Sequence, residues 1–566
     1  NASNTINWGQ AIAGETRHYI DWYYGINLSR ALMRSIKAGG RFKIMSIGRV
    51  QGPALNLIVK KEKEIQAFKS RGYWKVFIDA QEKKDKTNIT RLRNVKDIFV
   101  EKELEKFNVL KGKEGEAATE KHEQSIQPPH PFDLTTLQIE AYKFCSITPA
   151  RTLQIAQGLY LAGLISYPRT SSQKIPEAIN PKDILKRLSE FFNEVKFATR
   201  ANPVEGKKTD PAHPSIYPTG EFQELDGEEK KVYQLIARRF IACFCADAQV
   251  ENKTLTLTSN NLVFKTRGLE IKENGWMTVY QTTLQEKKLI DMNGKAIITR
   301  VDLEEDETQP PRRYSQASIV SELEKRGLGT KATRANILET LYDRNYITDN
   351  KSIKATPLGI NLIDTLEKYS PVIIDEKLTH DIEKETEKMQ LSKKQESLKK
   401  EQENVLGIAR NAIEKISSDF KKNEIKIGKE LVKATEDSWK KEQKDNELML
   451  CPACKKGMLT IKFSPKFKRS FIACNAYPEC KTTFSLPPNG LIKKTDKICD
   501  ECEFPLLMRL SKGKRPWLFC FNPSCPTRTQ EGVYVKAKKD GSVPNSEASK
   551  EDQEDNQESK DSDSYK

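Results

Sequence analysis

Gly163-Leu-Ile-Ser-Tyr-Pro-Arg-Thr-Ser-Ser172 decides how the rest of this 566-residue chain is read. A helical pattern runs into it. Pro149 suits a first helical turn, and Leu153, Ile155, Ala156, Leu159 and Tyr160 recur at helical spacing before Gly163 supplies a stop. Pro168 biases its predecessor toward extended backbone, so Leu164 to Tyr167 is expected to be a short extended segment. Positions two apart on such a segment face one side, which would let the Tyr167 hydroxyl and the Arg169 guanidinium address one ligand. A phenol is a poor nucleophile near neutral pH, its free pKa being roughly 10, and it needs a cation or a base beside it. An arginine that also clamps phosphate supplies part of that need. On residue type alone, a half-buried strand tyrosine beside a surface arginine is the commoner meaning of such a pair.

The surrounding composition is that of ordinary soluble cores, 37% hydrophobic and 31% charged, at a length that calls for several domains. No apolar run reaches spanning length, so no membrane segment is expected. The net charge is +16, although Ser546 to Lys566 carries eight Asp/Glu against three Lys, so the positive excess lies upstream of that tail. Such an excess favours a polyanion, most simply nucleic acid. Beyond Lys538 the acidic, serine-rich sequence is expected to be disordered.

Eleven cysteines divide sharply by position. Cys145, Cys243 and Cys245 lie among apolar neighbours and read as buried small hydrophobes. The other eight form Cys451-x2-Cys454-x19-Cys474-x5-Cys480 and Cys499-x2-Cys502-x17-Cys520-x4-Cys525. Each set offers four thiolates from two tight turns, which suits one tetrahedral, structural zinc. In a chain without a secretory sign this argues for metal and a reducing cytosol rather than disulfides. Phe463, Lys466, Lys468, Arg469 and Phe471, with Lys514, Arg515, Trp517 and Phe519, could stack on bases and meet phosphates, or fill a small ribbon core.

Trp8 to Met33 reads as helix, with Arg17-His18 and Asp21-Trp22 upon it. Ser46-Ile-Gly-Arg-Val-Gln-Gly-Pro53 runs into an amphipathic helix. Ser46, Gly48, Arg49 and Gln51 at that entrance make candidate phosphate or base contacts. Tyr73 to Gln127 and Thr254 to Tyr280 are β-like and expected to pair into one unit, interrupted by the domain that carries Tyr167. His213 stands between prolines in Asp210-Pro-Ala-His-Pro-Ser-Ile-Tyr-Pro218, where a lone histidine is ordinarily a loop residue. From Tyr314, helix, tight turn, helix and strand pair follow the layout of a winged helix. Thr330, Lys331, Thr333 and Arg334 then sit at the second helix's N-terminus, which favours phosphate. A purely structural helical hairpin fits those residues equally well. Asp375 to Asn446 is Glu/Lys-rich and reads as long surface helices.

Gly-Leu-Ile-Ser-Tyr-Pro-Arg-Thr resembles the active-site motif of the type IA DNA topoisomerases, the cellular topoisomerase I and III group. The blocks Asp21-Trp-Tyr-Tyr-Gly-Ile-Asn-Leu-Ser-Arg30 and Gly48-Arg-Val-Gln51, the His213 block, the Lys331 helix and the cysteine sets are similar to that family too, in family order. The resemblance implies an α+β multidomain fold, a toroid of helical and winged-helix-like domains around a β-rich arch, followed by two zinc ribbons. Its expected divisions are helical segments 1–52 and 314–446, an arch of 53–128 and 248–313, an inserted tyrosine domain 129–247, ribbons 447–488 and 495–536, and a tail 537–566. It implies ATP-independent relaxation of negatively supercoiled DNA through a 5′-phosphotyrosyl link. Tyr167 would be the nucleophile, Arg169 a stabiliser of the phosphorane-like state, and His213 an aid to cleavage and religation. Arg17, Ser46, Gly48, Arg49, Gln51, Lys331, Thr333 and Arg334 would line the DNA path. The family's first domain, TOPRIM, holds Mg²⁺ on acidic residues. Nothing before Trp8 could encode it, so a fragment or a split enzyme is expected, with TOPRIM supplied upstream or in trans. A monomeric, cytoplasmic, nucleoid-associated protein completes the expectation. A single-stranded nucleic-acid binder that retains channel and ribbons without chemistry is the alternative.

Overall fold

Six strands close into a barrel in the order β1-β2-β5-β4-β3-β6 in the computed structural model of the chain. The structure describes residues 6–41, 45–83, 88–210, 212–349, 352–392, 395–464, 467, 469–488, 490–510 and 517–526. The readings made on Lys466, Lys468, Lys514, Arg515 and the acidic tail lie outside them. In chain order the elements are helices α1 (Trp8–Ala38) and α2 (Gln51–Ala67), then β1 (Gly72–Glu82) and β2 (Ile89–Asn94). One-turn α3 (Glu105–Asn108) and β3 (Glu114–Ile126) come next. Helices α4 (Leu134–Cys145), α5 (Pro149–Leu161), α6 (Pro181–Leu188) and α7 (Gly227–Ala242) precede β4 (Ala248–Ser259), β5 (Leu262–Glu273) and β6 (Gly294–Glu307). Then come α8 (Gln316–Lys325), α9 (Arg334–Asp343), β7 (Ile347–Asp349), β8 (Ile353–Ala355), α10 (Pro357–Tyr369), α11 (Glu376–Leu391) and α12 (Gln395–Asp445). Seven further strands follow: β9 (Glu447–Leu450), β10 (Met458–Ser464), β11 (Arg469–Cys474), β12 (Thr483–Ser485), β13 (Leu491–Ile498), β14 (Pro505–Leu510) and β15 (Trp517–Cys520). The chain divides into two units, Asn1–Ala434 and Thr435–Lys566. No helix among the described residues is long and apolar enough to cross a membrane.

The barrel's inner face is set by alternation. Val76, Ile78 and Ala80 on β1, Leu255 and Leu257 on β4, and Ala296 and Ile298 on β6 are all buried at period two. β3 and β4 run on together from Glu116 opposite Thr258 to Ile126 opposite Ala248. The segment between those last two residues, which holds Tyr167, therefore leaves and rejoins the barrel through one two-stranded ribbon. Its own core is built from Leu137, Leu153, Leu159, Leu235, Ile236 and Phe240, on α4, α5 and α7.

A second core gathers α1, α2, α8 to α11 and part of α12, including Tyr24, Leu28, Leu55, Ile58, Leu323, Leu341 and Ile382. Because α2 packs there, the helical body runs to Ala67 and the barrel starts at Gly72, so the boundary drawn at 53 falls inside a helix. Gly52 explains how α2 seats: a Cβ there would stand 2.3 Å from the Ile373 carbonyl oxygen. On α12, Leu398, Val405, Ala409, Ile416, Phe420, Ile427 and Leu431 are buried at alternating steps of seven and four. That eleven-residue repeat keeps one stripe of the helix on the core while its charged faces stay solvated.

In the second unit β12-β11-β10-β9 form one sheet and β13-β14-β15 another. Their apolar faces are not separate. Phe484 from the first packs edge-to-face on Phe521 from the second, centroids 5.5 Å apart, and Phe504 lies 5.2 Å from Phe521.

Candidate active site and nucleic-acid interface

The tyrosine loop begins where α5 stops. Thr148 caps α5 with Pro149 in its first turn, and Gly163 ends it at φ +75°, with the Gly163 and Leu164 amides donating to the Tyr160 and Leu159 carbonyls. The segment that follows is not a strand. It is joined to Ser215–Thr219 by the Ile165–Pro218 bridge, by Ser166 N–H to Tyr217 O (2.9 Å), and by the Ser166 hydroxyl to Ser215 O (2.9 Å). Thr170 N–H turns back to Pro168 O at 3.0 Å, so the backbone bends at Arg169 and the two-apart rule for an extended segment does not apply there. Tyr167 is half-buried and Arg169 exposed. The loops nevertheless bring Tyr167 and His213 together, ring centroids 4.6 Å apart, with Tyr160 packed edge-on to Tyr167 at 5.2 Å. Buried Thr170 donates to His213 O at 3.2 Å.

Asp210 organises both loops. Its Oδ1 accepts from the Ala212 and His213 amides at 3.0 and 3.2 Å, while its Oδ2 accepts from the Ser171 amide and hydroxyl at 3.0 and 2.9 Å. The Lys331 ammonium, from the turn before α9, also donates to Oδ2. Burial alone would raise this carboxyl, but Lys331 and the amides hold it well below the ordinary carboxylate range.

A cavity in the helical body brings together Arg17, Gly48, Arg49, Gln51 and Thr333 with Asp21, Thr330, Arg344 and Glu383. Arg49, expected from the sequence as a phosphate or base contact, lines this cavity. It is buried and ion-paired to Asp21 (3.0 Å) and Glu383 (2.8 Å), and Glu383 also holds Arg17 at 2.8 Å. The Arg49 Nη1 lacks a hydrogen-bond partner among the described residues. Gln51 accepts from the Gly48 amide at 2.8 Å and from Arg344, which also donates to Ser46 O at 3.0 Å. Arg334 is buried, donates to Leu328 O at 3.3 Å, and so closes the α8–α9 turn instead of pointing to solvent. Thr333 accepts from the Thr330 amide at 3.0 Å. Asp210, Arg344 and Glu383 were not singled out from sequence. Glu383 lies 334 positions from Arg49 inside a Glu/Lys run, where nothing marks it. Asp210 sat within the His213 block and could have been flagged by its position three residues before the histidine.

Both cysteine sets converge. Their sulfurs lie within 4.8 Å of one another in each set, with Cys451–Cys480 at 3.8 Å, Cys454–Cys474 at 3.7 Å, Cys499–Cys525 at 3.6 Å and Cys502–Cys520 at 3.4 Å. Tetrahedral zinc with Zn–S near 2.3 Å needs sulfurs about 3.8 Å apart, so both sets fit it. The Gly457 and Lys456 amides pull the Cys454 thiol down to about 6, whereas burial pushes Cys474 of the same set up to about 12. Cys243 and Cys245 are instead buried, and burial pushes each up to about 12, in keeping with inert core thiols.

Residues 5–398 match the DNA topoisomerase family and residues 449–489 the topoisomerase DNA-binding C4 zinc finger. Fold and match together define an isomerase that acts on DNA and carries C4 zinc sites. The chain belongs to the type IA DNA topoisomerase family. It is 41% identical to DNA topoisomerase 1 of Methanocaldococcus jannaschii over 539 residues, covering 93% of this chain and 68% of the relative. It is 40% identical to DNA topoisomerase 1 of Pyrococcus horikoshii, covering 93% and 77%. The full-length topoisomerase I structure from Thermotoga maritima superposes with a TM-score of 0.57 at 22% identity, over 87% of this chain and 78% of that one.

Proposed function

We propose that the chain relaxes negatively supercoiled DNA without ATP, with Tyr167 as the nucleophile. The Tyr167 oxygen attacks a phosphodiester in single-stranded DNA and loses its proton. The bond from phosphorus to the 3′ oxygen breaks, that oxygen takes up a proton, and the 5′ phosphate stays on the tyrosine. Resealing reverses the attack, so one bond energy is conserved and no nucleotide is consumed. His213, whose ring lies tilted at 55° to the tyrosine ring, would take and return the proton, and Arg169 on the exposed side of the loop would meet the charge that builds on phosphate. Arg17, Ser46, Gly48, Gln51, Lys331 and Thr333 lie along the strand's path, with Arg49 and Arg334 shaping it from beneath. The reading includes the family's Mg²⁺-holding TOPRIM module as the partner of this site and a monomeric, cytoplasmic enzyme. When bound, Mg²⁺ would screen phosphate charge.

The observation that carries this reading is the Tyr167–His213 ring pair at 4.6 Å, held by two interlocked loops. Relaxation of supercoiled plasmid with Mg²⁺ and a TOPRIM domain added tests it. Tyr167→Phe should abolish relaxation and leave single-strand affinity near wild type, since only the attacking oxygen is lost. Arg169→Ala should retain slow relaxation, down roughly 10²–10³-fold as for one lost charge-stabilising donor. Full relaxation by Tyr167→Phe would overturn the reading in favour of another nucleophile; absence of relaxation by the wild type, with DNA binding intact, would favour a pure single-strand binder.

A further inference from the structure

The Asp210 carboxylate is a protein anion seated where a DNA anion is expected. Its side chain is only 2% exposed, and four of its donors, the Ser171 amide and hydroxyl and the Ala212 and His213 amides, belong to the inserted domain that carries Tyr167. The fifth, Lys331, comes from the helical body across the seam. Besides that pair, Lys208 of the inserted domain reaches Glu324 of α8 at 2.9 Å, and α4 and α5 pack on α8 and α9. If Lys331 moves away, Asp210 keeps four hydrogen bonds and is not left bare, so its partner can be exchanged at modest cost.

We propose that Asp210 is a built-in competitor for DNA: it occupies the Lys331 ammonium in the DNA-free chain. A phosphate entering beside Tyr167 and His213 takes that ammonium over and loosens the inserted domain from the helical body. This rests on the reading above that Lys331 meets phosphate. Binding and loosening are then one event, and the strand itself releases one of the ties that close the tyrosine domain. The same carboxylate remains on the inserted domain to hold the His213 loop in place.

A double-mutant cycle with a fluorescent single-stranded oligonucleotide, read by anisotropy at fixed salt, tests this. Asp210→Asn removes the competing charge and keeps an acceptor for the Ala212 and His213 amides. Asp210→Ser is a second neutral variant with a shorter side chain, in case the asparagine amide disturbs Ser171. Either variant that retains the wild-type unfolding midpoint should bind roughly three- to tenfold tighter, the scale of one partly shielded ion pair. That gain should vanish in a Lys331→Met background. Unchanged or weaker binding by the folded neutral variants overturns the proposal, as does an equal gain with Lys331→Met, which would mean general repulsion of DNA by the acid. Failure of the wild type to bind the oligonucleotide would overturn the reading of the chain as a DNA enzyme along with it.

Discussion

At the scale of single residues, the arginines of this site divide by what surrounds them. Arg169 is exposed on the tyrosine loop, whereas Arg49 is buried on Asp21 and Glu383, and Arg334 on a backbone carbonyl. Sequence pattern identified Arg49 and Arg334 as members of functional blocks but could not show their direction, because their partners lie in helices remote in sequence. Glu383 is the centre of the first group. Burial alone would raise its carboxyl, but Arg49 and Arg17 hold it below the usual range. A carboxyl depressed in the folded state contributes stability that is present above the ordinary carboxylate pKa and is lost as pH falls through the folded value. Glu383→Gln should therefore cost roughly 3 kcal/mol in urea unfolding at neutral pH, because it leaves two arginines without their shared anion. The gap between variant and wild type should start to narrow below about pH 4, where the unfolded chain's carboxyl takes up its proton, and close at the lower pH where the folded carboxyl does so too. An equal gap at both pH values would show that the pair contributes by shape alone.

At the scale of elements, the ends and periods were readable and the joins were not. Pro149 and Gly163 mark helix boundaries by local chemistry that needs no partner, and the structure has Pro149 in the first turn of α5 and Gly163 just past its end. The cysteine spacing likewise carries its own geometry. By contrast, the segment leading to Tyr167 is held by pairing with Ser215–Thr219, and α2 belongs to the helical core, where Gly52 meets the Ile373 carbonyl. The shared core of the two ribbons is another join without a sequence period, since Phe484 and Phe521 meet only when both sheets are folded. Phe521 is fully buried between them. Phe521→Ala should destabilise by roughly 3–5 kcal/mol as a large core truncation. It should also speed zinc release to a chelator from both cysteine sets, because folding and metal retention are linked. Release accelerated only from the set holding Cys520 and Cys525 would show that the ribbons fold independently.

At the scale of the whole first unit, the arrangement explains how a covalent break could coexist with movement. The domain carrying Tyr167 joins the barrel by one β-ribbon, between Ile126 and Ala248, packs on Trp276 and Tyr280 from the segment after β5, and touches the helical body through ion pairs and helix packing. In the proposed reaction a tyrosine that holds the 5′ phosphate would travel with that domain, and the Asp210–Lys331 pair lies on the seam that such a movement would part. The seam's chemistry was not legible, since Asp210 and Lys331 are 121 positions apart. All of this depends on which side chain receives the phosphate. The most direct test is to trap the cleaved complex with a 3′-labelled single-stranded oligonucleotide, Mg²⁺ and added TOPRIM domain, digest it, and map the adduct by mass spectrometry. The phosphonucleotide should be found on the peptide containing Tyr167, joined through the 5′ side of the break, and on no other; an adduct on Tyr160, or a link through a 3′ phosphate, would contradict the account.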